Sequence, residues 1–316
     1  MVKLSLALLM ALFGTMALAD GFASAQSRED FCARANDPDY FKKLISDTSN
    51  LVGFVNPAAG FFNGGLCWWH SQLQRSSLFL TVYRPDLPKP TDPEEIKHIF
   101  EAIMKQEAVV EIPGYSTFSD FTSDWQDLLT KLLSAWQVSQ GVLGFGWLEG
   151  LGGTSESASA LQKTMDDLYV KVETQKQIVF QVLKFPGLEA HSWLVVHMSK
   201  TDDGYHLQVL DSNFIGLQDW DYSQGMTNFT YVDGTSNFVP RTFRQGDLKD
   251  YPKLIKDYCS QKVDDDFKIA KVAGTDQVRQ PQVGDPCEDE DGNKSTLIND
   301  ADFGVLKCNI TDDRDR

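Results

Sequence analysis

Basic residues are scarce in this chain. Its 316 residues carry 29 Lys and Arg against 45 Asp and Glu, a net charge of −16 with histidine neutral. Such a surface repels phosphate backbones and anionic bilayers, which argues against nucleic acid or an acidic membrane as partner. Histidine and cysteine are also few, five of each, and no Cys/His spacing suits zinc. Internal repeats at periods of about 20–50 residues are missing, which excludes a solenoid. Long apolar runs are confined to the extreme N-terminus, so no later segment has the roughly eighteen residues needed to span a bilayer. What is present is a core: hydrophobic residues make up 42% and aromatics 11%, too much for global disorder.

The N-terminus reads as a targeting segment. Lys3 supplies a positive start, Leu4 to Leu18 form an apolar run, and small residues offer cleavage after Ala17-Leu18-Ala19 or Ala23-Ser24-Ala25. Residues 1–25 are therefore expected to be a secretory signal, and the protein to be secreted or periplasmic. In that oxidising compartment the cysteines gain meaning. They are Cys32, Cys67, Cys259, Cys287 and Cys308. An odd count leaves at least one without an intrachain disulfide. Cys287 with Cys308, and Cys32 with Cys259, are the expected pairs, although spacing alone does not fix connectivity.

Helices come first along the chain. Short helical pattern covers Asp39 to Ile45, and a second helix is expected from Leu66 to Gln74, followed by a strand from Ser77 to Tyr83. Asp92, Pro93 and Glu94-Glu95 form a cap, a first-position proline and an acidic first turn, predicting a helix to about Glu107. Ser123-Asp124-Trp125-Gln126 has the form of a capping box before Leu128, Leu129, Leu132, Leu133 and Trp136 at helical spacing. Gly141 to Gly153 reads as a loop or hinge, and Ser157 to Glu173 as a further helix. Strands then dominate: Ile178 to Phe185, His191 to Met198, Tyr205 to Leu210, Asn228 to Val232 and Phe238 to Phe243. A last helix covers Asp247 to Tyr258. This order predicts an α+β domain over 26–262, a helical N-terminal part on an antiparallel sheet, with an acidic, loosely packed tail over 263–316.

Cys67 has the surroundings of a nucleophile. Asn63-Gly64-Gly65-Leu66-Cys67-Trp68-Trp69 places it in the first turn of a helix, whose dipole favours a thiolate. A base must come from the five histidines. His70 is a helical neighbour without an evident orienting carboxylate, His98 lies on an amphipathic helix, and His197 and His206 flank the turn Thr201 to Gly204. His191 opens a strand. A hairpin centred near Thr201 pairs 191 with 211, 193 with 209, 195 with 207 and 197 with 205. His191 and Asp211 then meet at its open end, where a carboxylate can fix the imidazole tautomer. Asn213 has the same parity and is the fallback orienter. A one-residue slip would separate the pair, and Cys67 as a merely buried thiol is the bland alternative.

The order Cys67, His191, Asp211 resembles the papain-like cysteine peptidase superfamily. Ala190-His191-Ser192-Trp193 with Asp211-Ser212-Asn213 is similar to its bacterial peptidases, which is the preferred branch. Gly65-Leu66-Cys67-Trp68 with His191-Ser192-Trp193 is also similar to the transglutaminase-like core, a close second; the long Cys-to-His separation favours the former. The resemblance covers residues 55–245 and implies a papain-like fold with a helix-borne nucleophile and a sheet-borne base. It departs at Phe61, where papain has an oxyanion-hole glutamine, and in lacking the Gly-Ser-Cys-Trp signature. Asn63 is then the nearest amide donor.

Three glycosylation triplets, at Asn228, Asn293 and Asn309, matter only in a eukaryotic secretory pathway. The acidic run Asp285 to Asp291 fails as a calcium loop, with Cys287 and Ile298 at ligand positions. No motif calls for a cofactor or metal. The expected function is hydrolysis of peptide or isopeptide bonds in a protein or peptide substrate, by Cys67, His191, Asp211 and Asn63. A transglutaminase-like acyl transferase and a non-catalytic binding protein are the alternatives.

Overall fold

A computed structural model describes residues 22–57, 66–137, 154–185, 190–242 and 247–260, and the backbone of three strands within 286–308. The architecture is α+β. Six antiparallel strands form one sheet: β3 (Val179–Lys184), β4 (Ala190–Lys200), β5 (Gly204–Asp211), β6 (Leu217–Ser223), β7 (Phe229–Thr230) and β8 (Asn237–Thr242), in the order β6-β5-β4-β3-β8-β7. The alternation of apolar residues along β4 sends its side chains to two cores. Leu194 and Val196 pack with Phe180 and Leu210 under the N-terminal helices. Trp193 and Val195 pack with Leu207 and Val209 on the opposite face, under α7 (Ala158–Tyr169).

On the first face, α1 (Arg28–Arg34), α2 (Tyr40–Leu44) and the last helix α8 (Tyr251–Ser260) surround α3 (Cys67–Leu80). A disulfide joins Cys32 of α1 to Cys259 of α8. The sequence reading has no helix at α1, although Ser27 accepts the Asp30 N–H and Glu29 and Asp30 fill the first turn, a readable start pattern. Beside this core lies a helical lobe of α4 (Pro93–Lys105), α5 (Phe118–Asp124) and α6 (Gln126–Trp136). Strands β1 (Thr81–Arg84) and β2 (Val110–Pro113) make a small parallel pair beside it.

The helix α3 is longer than its apolar pattern predicts, running to Leu80 where a break at Gln74 and a strand from Ser77 were expected. It touches the sheet, the first core and the lobe, so nearly its whole circumference is buried, including Ser71, Gln74, Arg75, Ser76 and Ser77. Buried polar residues erase the amphipathic stripe that marks a surface helix. Ser123 is a second correction: it does not cap a helix but lies inside α5, whose N-cap is Thr117, and Trp125 separates α5 from α6. β2, α5 and β6 also have no counterpart in the sequence reading.

The β4–β5 hairpin is set differently from the expected register. Trp193, not His191, stands opposite Asp211, and the ladder continues through Leu194 with Leu210 and Val195 with Val209. A bulge at Val196 then shifts the pairing, so that His197 faces Gln208 and Lys200 faces Tyr205. The turn closes between Thr201 and Gly204, later than assumed. Gly204 lies so close to β6 that a Cβ there would sit 1.8 Å from the Tyr222 carbonyl oxygen, which holds the turn at this residue.

Regular structure and packing extend past both expected ends of the domain. Phe22 to Ala25, expected within the cleaved segment, pack on the body: Ala25 accepts the Tyr83 N–H at 3.1 Å, and Asn50 Nδ2 donates to the Phe22 carbonyl at 2.9 Å. In the tail, β9 (Pro286–Glu288), β10 (Lys294–Asp300) and β11 (Val305–Cys308) form an antiparallel sheet with β10 central. Cys287 and Cys308 are on its outer strands, paired with Ser295 and Leu297. The side chains of both, and with them the expected Cys287–Cys308 pairing, fall outside the described residues.

Candidate functional site

Cys67 is the first residue of α3, at the positive end of the helix dipole, and the first turn holds no acidic residue to oppose an anion there. It is buried and not disulfide-bonded. The helix starts without a side-chain cap from its own N-cap residue Leu66. Instead Asn56, far back in the preceding loop, accepts the Leu66 N–H on Oδ1 at 2.6 Å. The same asparagine donates its backbone N–H to the Ser212 carbonyl at 2.7 Å. One residue thus ties the start of α3 to the end of β5.

His191 and Asp211 share the strand parity of Trp193 and Val209, whose side chains lie under α7. The thiol therefore meets the imidazole at the end of the sheet, not across its face. Cys67 and His191 are hydrogen-bonded side chain to side chain. His191 Nε2 lies 2.6 Å from Asp211 Oδ1, which leaves Nδ1 for the sulfur. Burial alone would lower the His191 pKa. The negative charge of a Cys67 thiolate and the hydrogen bond to Asp211 outweigh it and push the value up to about 10. Below about pH 10 a ring beside the thiolate is therefore an imidazolium.

Asp211, buried at 2% exposure, takes four supports. Burial would raise its pKa, but the hydrogen bond and charge of His191, the Asn213 N–H at 2.9 Å on Oδ1, and the Tyr231 hydroxyl at 2.7 Å on Oδ2 outweigh it, and the value falls. The carboxylate is thereby kept ionised beside the imidazolium. Tyr231 also sits edge-on to His191, with ring centroids 5.8 Å apart, and stacks on Trp220. Neither Tyr231 nor Asn56 is marked out by the linear reading: Tyr231 falls in the strand expected over Asn228 to Val232, Asn56 falls in a loop, and each meets the site only through tertiary contacts.

The remaining histidines are placed elsewhere. His70, one turn into α3, has Nε2 3.0 Å from the Phe54 carbonyl. Burial pushes its pKa down to about 4, so the ring is neutral and donates that hydrogen bond. A neutral ring here adds no charge beside the His191 imidazolium. His98 is exposed on α4. His197 lies 3.6 Å from Glu173, and His206 lies between Asp219 and Asp221. Asn63, the expected oxyanion donor, and the Gly141–Gly153 stretch fall outside the described residues. Asn213 does not bond His191; its side chain bridges Asn56 and Tyr231. Among the described residues no cluster of His, Cys, Asp and Glu is arranged to hold a metal, and no helix is long and apolar enough to cross a membrane.

Chemically, the arrangement can deprotonate a thiol, hold the resulting ion pair and return the proton to a leaving group. No protein-family model matches the chain, and no curated protein or solved structure does.

Proposed function

We propose that this chain is a secreted thiol hydrolase of the papain-like type, cleaving peptide or isopeptide bonds through a thioester. One observation carries the reading: Cys67 at the head of α3 is hydrogen-bonded to His191, whose other nitrogen lies 2.6 Å from the buried Asp211. A buried structural thiol has no use for a charged imidazole and a desolvated carboxylate in series. The layering supports the same reading, with the nucleophile on a helix packed against a sheet that carries base and orienter.

In the acylation step the Cys67 thiolate attacks the acyl carbon, forming the S–C bond while the carbonyl π electrons move onto oxygen. The Cys67 backbone N–H, at the positive helix end, stabilises that oxyanion, and the Asn63 amide is the proposed second donor. Collapse expels the amine, which takes the proton held by His191. A water molecule then gives a proton to the neutral His191 and attacks the thioester, releasing a carboxylic acid and restoring the thiolate. An amine in place of water makes the same site a transglutaminase. Export with signal cleavage after Ala19 fits the packing of Phe22 to Ala25; cleavage after Ala25 would strip these contacts.

The test joins labelling to turnover. Iodoacetamide at pH 6 should modify Cys67 rapidly in the wild-type protein and slowly in His191→Ala, read by peptide mass mapping. A mixed peptide library should be cleaved by the wild-type protein and left intact by Cys67→Ala. Wild-type Cys67 that resists labelling at pH 6 rules the reading out in favour of a non-catalytic binding protein. Rapid labelling with cleavage that survives Cys67→Ala rules out the nucleophile assignment.

A further inference from the structure

Asn56 and Tyr231 are parts of one closed circuit. The Leu66 N–H, immediately before the nucleophile, donates to Asn56 Oδ1 at 2.6 Å. Asn56 Nδ2 donates to Asn213 Oδ1 at 3.1 Å, and Asn213 Nδ2 to the Tyr231 hydroxyl oxygen at 3.1 Å. The Tyr231 O–H donates to Asp211 Oδ2 at 2.7 Å, and Asp211 Oδ1 accepts from His191 at 2.6 Å. His191 is bonded to Cys67, and the Leu66–Cys67 peptide bond closes the ring.

The direction of every bond in this ring is forced from its two ends. A backbone N–H can only donate, so Asn56 must present its oxygen to Leu66 and its NH₂ to Asn213. Asn213 must then show its oxygen to Asn56 and its NH₂ to Tyr231. With a lone pair so occupied, the single hydroxyl hydrogen of Tyr231 points at Asp211. An ionised carboxylate only accepts, so the proton shared with it belongs to His191 Nε2. The neutral ring therefore offers an Nδ1 lone pair to the thiol.

We propose that Asn56 and Tyr231 are positioning residues that fix the His191 tautomer and the gap between α3 and the β4–β5 hairpin. This rests on Cys67 being the nucleophile. The ring also predicts an unusual consequence of reversing it. Asn56→Asp keeps the acceptor for Leu66 but offers no donor to Asn213. The Asn213 amide then turns over, its oxygen takes the Tyr231 hydrogen, and Asp211 faces an oxygen lone pair where it had a donor. Asn56→Asp should therefore act on Asp211 as Tyr231→Phe does, by removing one hydrogen bond to a buried charge.

The experiment is the pH profile of iodoacetamide alkylation of Cys67 in the full chain, for the wild-type protein, Tyr231→Phe, Asn56→Asp and the double variant. Circular dichroism checks that each is folded. Each single variant should react about tenfold more slowly at pH 6, the scale of one hydrogen bond to a charged group, and approach the wild-type rate near pH 9.5, where thiols ionise unaided. The double variant should be no slower than the slower single one, because both cut the same ring. Single variants within twofold of wild type at pH 6, or slowed equally at all pH values, overturn the inference. Effects that multiply in the double variant overturn it as well. A wild-type Cys67 inert at pH 6 removes the nucleophile reading and this inference together, whereas a reactive wild type with unaltered variants removes this inference alone.

Discussion

Asp211 reaches His191 on the diagonal. The residue directly across the hairpin from Asp211 is Trp193, yet Asp211 Oδ1 lies 2.6 Å from His191 Nε2. Diagonal neighbours share a face of an antiparallel pair and stay within reach of long side chains. The position directly across from His191 falls to Asn213, past the end of β5, where the chain has left the ladder. Asn213 contributes its backbone N–H to Asp211 instead.

This relationship fixes the outcome of three substitutions. Asp211→Ala should leave the fold intact and lower turnover by about 10⁴-fold, the scale seen when an orienting carboxylate is lost. Asp211→Asn should retain part of the activity, because the thiolate and imidazolium already neutralise each other. Asn213→Ala should cost only a few-fold, since its N–H survives and its exposed side chain competes with water. Turnover of a cleaved library peptide, with circular dichroism as the folding control, checks all three. A crippled Asn213→Ala beside a normal Asp211→Ala would refute the diagonal pairing.

The pH dependence follows from His191. Its pKa is raised from 6.5 to about 10 by the Cys67 charge and Asp211. In the proposed mechanism the imidazolium is the proton donor to the leaving amine, so turnover should hold through neutral pH and fall as pH rises through about 10. Alkylation of Cys67 needs only the thiolate and should not fall there. Parallel pH profiles of hydrolysis and alkylation separate the two. An alkaline limb near pH 7 would mean that the ring is not held in the pair.

The site was legible where its chemistry is written in single residues and opaque where it depends on closure. Cys67 after a glycine turn, His191 at a strand start and Asp211 with matching parity were each readable. Their register was not, because it depends on a bulge at Val196 and on a turn held at Gly204 by its close approach to β6, neither of which has a local sequence signal. A two-residue error preserved strand parity, which is why the pairing survived a wrong register. Tyr231 and Asn56 were invisible for another reason: Tyr231 lay in an expected strand and Asn56 in a loop, and their links to Asp211 and Asn213 span 20 and 157 residues of chain, which no local pattern records. In the fold, α4 was readable from its cap, proline and acidic start, whereas α3 hid its second half behind buried serines and Arg75.

His70 sets a stability expectation in acid. Its pKa falls from 6.5 to about 4 on folding because the ring is buried. Below pH 6.5 the unfolded chain binds a proton that the folded chain refuses, so stability is full above 6.5 and is lost as pH falls towards 4. A displacement of this size is worth about 3 kcal/mol. Gln at this position keeps a donor for the Phe54 carbonyl but does not titrate. Urea unfolding at pH 7 and pH 4.5 should show a smaller acid loss in His70→Gln than in the wild-type protein. Equal losses would place the acid sensitivity elsewhere.

The Cys32–Cys259 disulfide should matter to the fold and not to the site. It closes a loop with a sequence separation of 227 residues, joining α1 to α8. In the chain-entropy account, a loop of that length constrains the unfolded state by about 5 kcal/mol. Replacing both cysteines with serine should therefore lower Tm by about 10 °C or more in a domain of this size. The bond lies in the layer of Phe31 and Tyr258, whereas Cys67, His191 and Asp211 are held by α3, β4, β5 and their own hydrogen bonds. Well below the new Tm, Cys67 in the double serine variant should alkylate at pH 6 at the wild-type rate. Calorimetry and labelling on the same sample test both halves. Lost reactivity in a folded variant would show that the α1–α8 layer sets the position of α3, and that the site is not locally determined.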